Sequence, residues 1–246
     1  MMDLAGKVVV ITGASRGIGA GLAKECIARG MKVSVCARSV PDVDKGDNIL
    51  AIAADVVDAA AVQSLADQTI DKFGQIDLWV NNAGVLPPIS PLRDCSTSDM
   101  LAHLNVNIMG VFHGTKSFVN HVRSRPGEGV LINISSGAST SAYEGWGAYC
   151  ASKAAVDRLT EVVDLEEKDE GLRAYAIAPG IIDTDMQSLI RGCDETQFPM
   201  VEKFRELKRD KAFSSLEFVA RELLKAAFDQ DNRPETVCVR LPSEND

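Results

Sequence analysis

Short apolar runs separated by longer amphipathic segments constrain this chain more than any other feature. VVVIT (8–12), KVSVCA (32–37), LAIAAD (50–55), IDLWVN (76–81), GVLINIS (129–135) and LRAYAIAP (172–179) are β-branched or aliphatic throughout rather than at alternate positions. That is the pattern of strands covered on both faces. A seventh run, TVCVRL (236–241), follows late in the chain. Helical periodicity predicts helices over about 17–29, 59–73, 98–124 and 149–168, with a looser pair over 198–209 and 215–228. Strands and helices alternate with crossover-length connections, which predicts an α/β fold: a doubly wound, seven-stranded, mostly parallel sheet with helices on both faces. No composition shift, repeat or low-complexity tract divides the 246 residues, so one domain over 1–246 is expected.

The first strand leads into TGASRGIG, with Gly13, Gly17 and Gly19 in a TGxxxGxG pattern ahead of a helix. Small residues there let the backbone approach a pyrophosphate, and the helix N-terminus supplies amides and a positive dipole end. The loop residues Gly13, Ser15, Arg16, Gly17, Ile18 and Gly19 are therefore candidate cofactor ligands. The second strand ends in VCARS, with Ala37 and Arg38 where a carboxylate would select the ribose 2′-hydroxyl of NAD. Arg38 would attract a 2′-phosphate, and Arg16 could clamp it from the other side, so NADP(H) is the expected cofactor.

Net charge narrows the partners further. At −9, with a pI near 4.9, the chain repels nucleic acid and anionic membrane, and no basic stripe offsets this. No apolar run reaches the length of a membrane span, and the N-terminus lacks the basic start and cleavage site of a signal peptide. Six scattered cysteines without a CxxC pair read as thiols in a reducing compartment, so a cytoplasmic protein is expected. His103, His113 and His121 stand ten and eight residues apart on one predicted helix, a spacing that does not suit a metal site.

In GWGAYCASKAA, Tyr149 precedes Lys153 by four residues, one helical turn, so the two share a face. A nearby ammonium stabilises a tyrosinate and lowers its pKa, which prepares the hydroxyl to give a proton to a carbonyl oxygen or take one from an alcohol. Thirteen residues upstream, Ser136 ends a predicted strand, on the sheet edge where open α/β folds bind ligands. Serine and tyrosine can thus converge on one carbonyl.

TGASRGIG, the Asp55–Val56 pair, NNAG (81–84), NIMG (107–110), SS followed by YCASK, and PGIIDTDM (179–186) occur in an order and spacing that resembles the short-chain dehydrogenases/reductases. The likeness runs from residue 8 to about 186, three quarters of the chain. It implies a single-domain Rossmann fold and an NADP-dependent oxidoreductase acting on CH-OH/C=O groups. Residue by residue, it implies that Tyr149 is the general acid, that Lys153 lowers its pKa and holds the nicotinamide ribose, and that Ser136 polarises the carbonyl. Asn107, by resemblance alone, would hold a water joining Lys153 to a proton relay. Asn105 and Ser135 are the neighbouring alternatives; Asn107 leads NxxG, and Ser136 has the thirteen-residue interval. Asp55 and Val56 would face the adenine, and Asn82, Ala83 and Gly84 would line the ribose and cofactor trough. Pro179, Gly180, Ile182, Thr184 and Met186 complete the expected cofactor set, with Ile182 and Thr184 at the carboxamide. The helices over 98–124 and 149–168 usually build a subunit interface in this family, so a homodimer or homotetramer is expected.

Substrate choice is expected to lie in the segment about 183–215. That region resembles sepiapterin and benzil (diketone) reductases more than the ketoacyl reductases of fatty-acid synthesis. Sepiapterin reductases hold the pterin with an acidic residue near the last strand; Arg240 stands about there in this sequence and would repel that edge, although Glu244 and Asp246 are close. Ser136, Tyr143, Trp146, Tyr149, Met186, Ile190 and Phe198 are the expected substrate contacts. Together these point to a small, hydrophobic ketone or 1,2-diketone. The alternatives are a pterin, a 3-oxoacyl thioester or an alcohol, and more remotely a non-catalytic NADP(H) sensor.

Overall fold

Seven parallel strands lie side by side in the order β3-β2-β1-β4-β5-β6-β7 in a computed structural model that describes residues 3–244. They are β1 (Val8–Thr12), β2 (Lys32–Ala37), β3 (Ile49–Ala53), β4 (Leu78–Asn81), β5 (Gly129–Ile134), β6 (Leu172–Ala178) and β7 (Cys238–Arg240). Successive side chains on a strand point to opposite faces, and each face has its own core. Val9 and Ile11 pack with Leu22 and Ala23 of helix α1 (Gly17–Ala28) and with Val219 and Leu223 of α8 (Leu216–Phe228). Val10, Trp79 and Leu131 pack on the other side with Leu65 of α2 (Ala59–Phe73) and Phe118 of α4 (Gly110–Arg123). A parallel sheet buried on both faces needs the continuous apolar strands that the sequence supplies.

The strand order reverses between β1 and β4, where a crevice opens beyond their carboxyl ends. Loops after β1, β4, β5 and β6 converge there. Helix α2 shows how sharply the local sequence sets its ends: the Asp58 carboxylate accepts from the amides of Ala60 and Ala61, and Gly74 closes the helix in the left-handed region at φ 88°.

The expected helix over 98–124 is two helices. Between α3 (Thr97–Leu104) and α4 a π-helical turn, Asn105–Met109, inserts an extra residue and turns the Asn107 amide inward onto the backbone of Val85. Helix α5 (Gly147–Glu167) starts two residues before the expected 149, which puts Tyr149 in its first turn. The eight-residue α6 (Asp185–Gly192) has too few turns for its periodicity to show in sequence, and α7 (Val201–Arg209) starts three residues later than expected. Strand β3 ends at Ala53, leaving Asp55 in the loop beyond it, and β7 is only three residues long. No helix among the described residues is long and apolar enough to cross a membrane.

Candidate active site

One cleft of about 640 Å³ lies over the carboxyl ends of the central strands, at the reversal of strand order. Its floor at one end is the glycine loop. Gly13 takes φ +68°, and a Cβ on it would sit 2.7 Å from Ala83 Cα, so the loops after β1 and β4 touch backbone to backbone. Gly19 does not line the cleft; a Cβ there would meet Asn82 Nδ2 at 2.5 Å, and its role is to let α1 close on that amide. Asn82 Nδ2 in turn donates to the carbonyls of Thr12 and Gly13.

The N-terminus of α1 carries no side-chain cap and no acidic residue in its first turn. Its free amides face the cleft between Ser15 and Ile18, so the loop fits the phosphates of a dinucleotide. Arg38 lines the cleft at the end of β2, exposed and without an acidic partner among the described residues. Arg16 turns the other way. Its guanidinium pairs at 2.8 Å with Asp185, at the start of α6, rather than sharing Arg38's side of the cleft. Both partners are exposed, so the pair is weak and exchangeable. Asp55, Val56, Asn82, Ala83 and Gly84 line the same trough, as do Pro179, Gly180, Ile182, Thr184 and Met186.

Across the cleft, β5 and α5 bring Ser136, Tyr149 and Lys153 together. Ser136 Oγ accepts from the amide of Ala138 and is the side-chain hydrogen-bond partner of Tyr149, while the neighbouring Ser135 is bound to Asp157. The serine that meets the tyrosine is therefore Ser136. Tyr149 is buried, and burial pushes its pKa up from the usual 10, with the Ser136 hydrogen bond opposing. Burial outweighs the expected lowering by Lys153, whose ammonium donates at 2.7 Å to the Ile134 carbonyl and stands 5.6 Å from the centre of the Tyr149 ring. Burial lowers the Lys153 pKa to about 8, with Asp157 opposing. Asn107 is buried beneath the cleft rather than on its wall; its Oδ1 lies 3.4 Å, and Lys153 Nζ 3.9 Å, from the place a Cβ on Gly84 would occupy. Asn105 is exposed.

The outer end is aromatic and aliphatic. Tyr143, Trp146, Met186 and Ile190 line it, joined by Leu86, Gln187 and Phe204. Phe198 corrects the expectation that it touches substrate: it is fully buried and stacks flat behind Trp146, 4.6 Å between centroids and 4° between planes. Leu86 and Phe204 carried no motif; only their apolar character in loop and helix context could have marked them. Arg240 lines the cleft, exposed and beside Ala178 of β6, and Glu244 is held by Ser215; Asp246 lies outside the described residues.

A dinucleotide-shaped cleft at a strand reversal, with serine, tyrosine and lysine on one wall, defines an oxidoreductase that works with a nicotinamide cofactor on CH-OH/C=O groups. The chain belongs to the short chain dehydrogenase family, whose sequence profile matches residues 7–193. It is 31% identical over 225 residues to benzil reductase ((S)-benzoin forming) of Bacillus subtilis (strain 168), covering 89% of this chain and 92% of that one. It is 38% identical over 195 residues to the 3-oxoacyl-acyl-carrier-protein reductase of Synechocystis, covering 76% and 78%. A short chain dehydrogenase/reductase structure from Saccharomyces cerevisiae superposes with a TM-score of 0.87 at 26% identity, over 97% of each chain.

Proposed function

We propose that this protein is an NADPH-dependent carbonyl reductase whose substrate is a small hydrophobic ketone or 1,2-diketone, with Tyr149 as the proton donor. The observation that carries this is the Tyr149 hydroxyl, hydrogen-bonded to Ser136 on the cleft wall beside its aromatic and aliphatic outer end. Bound reduced nicotinamide supplies the hydride. Ser136 and Tyr149 hold the substrate oxygen from one side, and Tyr149 passes it the phenolic proton as negative charge builds there. Its raised pKa keeps that proton in place through neutral pH, as reduction requires. Lys153, still charged at pH 7 with a pKa of about 8, favours the tyrosinate left behind.

Arg38 supports the choice of NADPH: a free guanidinium at the end of β2 offers a charge-assisted bond to a 2′-phosphate. The likeness to benzil reductase and the Trp146, Tyr143 and Phe204 wall support an aryl or alkyl diketone, chosen by the segment about 183–215 within one catalytic domain. Arg240, on the cleft beside β6, disfavours a pterin's cationic edge. The test is NADPH consumption against benzil, an aliphatic diketone, an acetoacetyl thioester and sepiapterin, with NADH as control. Faster turnover of the diketones with NADPH is expected; preference for sepiapterin, or for NADH, contradicts the reading.

A further inference from the structure

Behind the reactive hydroxyl, one imidazole joins three segments of chain. His103, near the end of α3, is 1% exposed. Its Nδ1 lies 2.8 Å from the carbonyl oxygen of Pro87, in the loop after β4 that forms part of the cleft wall. Its Nε2 lies 2.9 Å from Asn107 Nδ2 and 3.0 Å from Ser152 Oγ. Ser152 sits between Tyr149 and Lys153 on α5. The ring also stands edge-on to Tyr149, 6.2 Å between centroids.

The protons on this network can be placed. A carbonyl oxygen only accepts, so Nδ1 carries the hydrogen and Nε2 is the acceptor. Ser152 gives its hydroxyl hydrogen to the Tyr149 carbonyl at 2.9 Å, which leaves the Asn107 amide as the donor to Nε2. Asn107 Nδ2 also donates to the Val85 carbonyl at 2.9 Å and, more weakly, to Ser152 Oγ at 3.3 Å, while its Oδ1 accepts from the Val85 amide at 2.8 Å. Every atom of the cluster is thus matched when His103 is neutral and protonated at Nδ1. A second proton at Nε2 would turn away the Asn107 amide and have only Ser152 Oγ, at 3.0 Å, to accept it. Burial, helped by the charge of Lys153, pushes the imidazole pKa down against the opposing Pro87 hydrogen bond and favours the neutral ring. The titratable groups facing it are Lys153 and Tyr149 from α5; Pro87, Asn107 and Ser152 present uncharged atoms.

We propose that His103 is a positioning residue for the reaction: a neutral Nδ1-protonated imidazole that holds the Pro87 loop, Asn107 and the turn carrying Tyr149 and Lys153 in one register. The proposal rests on the reading of Tyr149 as proton donor, but its hydrogen-bond chemistry can be read without turnover.

Two measurements test it. Nitrogen NMR of histidine-labelled protein, with the signal assigned by its loss in His103→Gln, reads the tautomer directly. The Nδ1–H form is expected, staying neutral well below pH 6.5; an Nε2–H form, or protonation near 6.5, overturns the proposal. Kinetics then compare wild type, His103→Leu and His103→Gln, since the Gln oxygen can stand where Nε2 accepts. His103→Leu should lower kcat about 10- to 100-fold, the scale of a misplaced reacting group, while the NADPH Kd stays within about twofold. His103→Gln should recover most of that loss. Wild-type kcat in His103→Leu overturns the proposal, and so does equal damage in both variants that follows loss of Tm. A wild-type enzyme that binds NADPH and reduces no carbonyl sinks the proposed function instead, and the tautomer then decides the fate of His103 by itself.

Discussion

Replacing the buried Lys153 should make this protein more stable at neutral pH. Lys153 is 6% exposed, and burial lowers its pKa from the usual 10.5 to about 8. In the unfolded chain the amine regains its ordinary affinity for a proton, so below pH 8 the folded state bears the full cost of holding the charge. At ~1.4 kcal/mol for each tenfold change in proton affinity, that cost is about 3 kcal/mol. Lys153→Met keeps an unbranched chain of similar volume and removes the charge. It also leaves the Ile134 carbonyl, which accepts from Nζ at 2.7 Å, without its donor, a loss of about 1–2 kcal/mol. The net gain is about 1–2 kcal/mol, or a rise in Tm of about 2–8 °C for a chain of this size. The sign of the pH dependence follows. The penalty is complete below the folded pKa and fades as pH climbs towards the unfolded one, so at pH 10 it falls below about 1 kcal/mol. Paired thermal melts of wild type and Lys153→Met at pH 7 and pH 10 check this. The variant should melt higher at pH 7 and lose that advantage at pH 10. A variant that melts lower at pH 7, or a difference that ignores pH, refutes the reasoning.

Other outcomes follow from the same geometry. Arg38→Ser removes a charge-assisted bond worth about 1.5–3 kcal/mol, so the NADPH KM should rise about 10- to 100-fold with NADH unaffected; initial rates with both cofactors measure it. Phe198→Ala empties the space behind Trp146, costing about 3–5 kcal/mol of stability by the usual scale for buried aromatics. Its diketone KM should rise while the NADPH KM holds. The kcat for reduction should fall as pH rises past about 8, when Lys153 loses its proton while Tyr149, its pKa raised, keeps its own; a pH–rate profile with saturating substrate shows whether the limb lies there.

Much of this site is legible in the sequence because its parts are local. The glycine loop, Ser136 and the Tyr149–Lys153 turn each depend on a few neighbouring residues between a strand and a helix. What escaped reading depends on residues far apart in the chain. The π turn at Asn105–Met109 follows from Asn107 pairing with Val85, 22 residues away, and no periodicity announces it. Arg16 meets Asp185 across 169 residues, which spacing around the glycine loop cannot show. Phe198 was rightly apolar and near the pocket, yet only its stacking against Trp146 puts it in the layer behind. The direction of the Tyr149 shift likewise turns on how deep the ring sits, and the Lys153 ammonium's partner is a carbonyl at Ile134, 19 residues away. Helical spacing carries neither.

The most direct test of the account is benzil reduction by wild type and Tyr149→Phe, each paired with a titration of NADPH binding. The account predicts steady NADPH-dependent turnover by wild type, and a Phe variant that binds NADPH with unchanged affinity and reduces benzil at least about 100-fold more slowly. A variant that retains most of the wild-type rate would show that the proton comes from elsewhere, and would contradict the assignment of Tyr149 on which the rest depends.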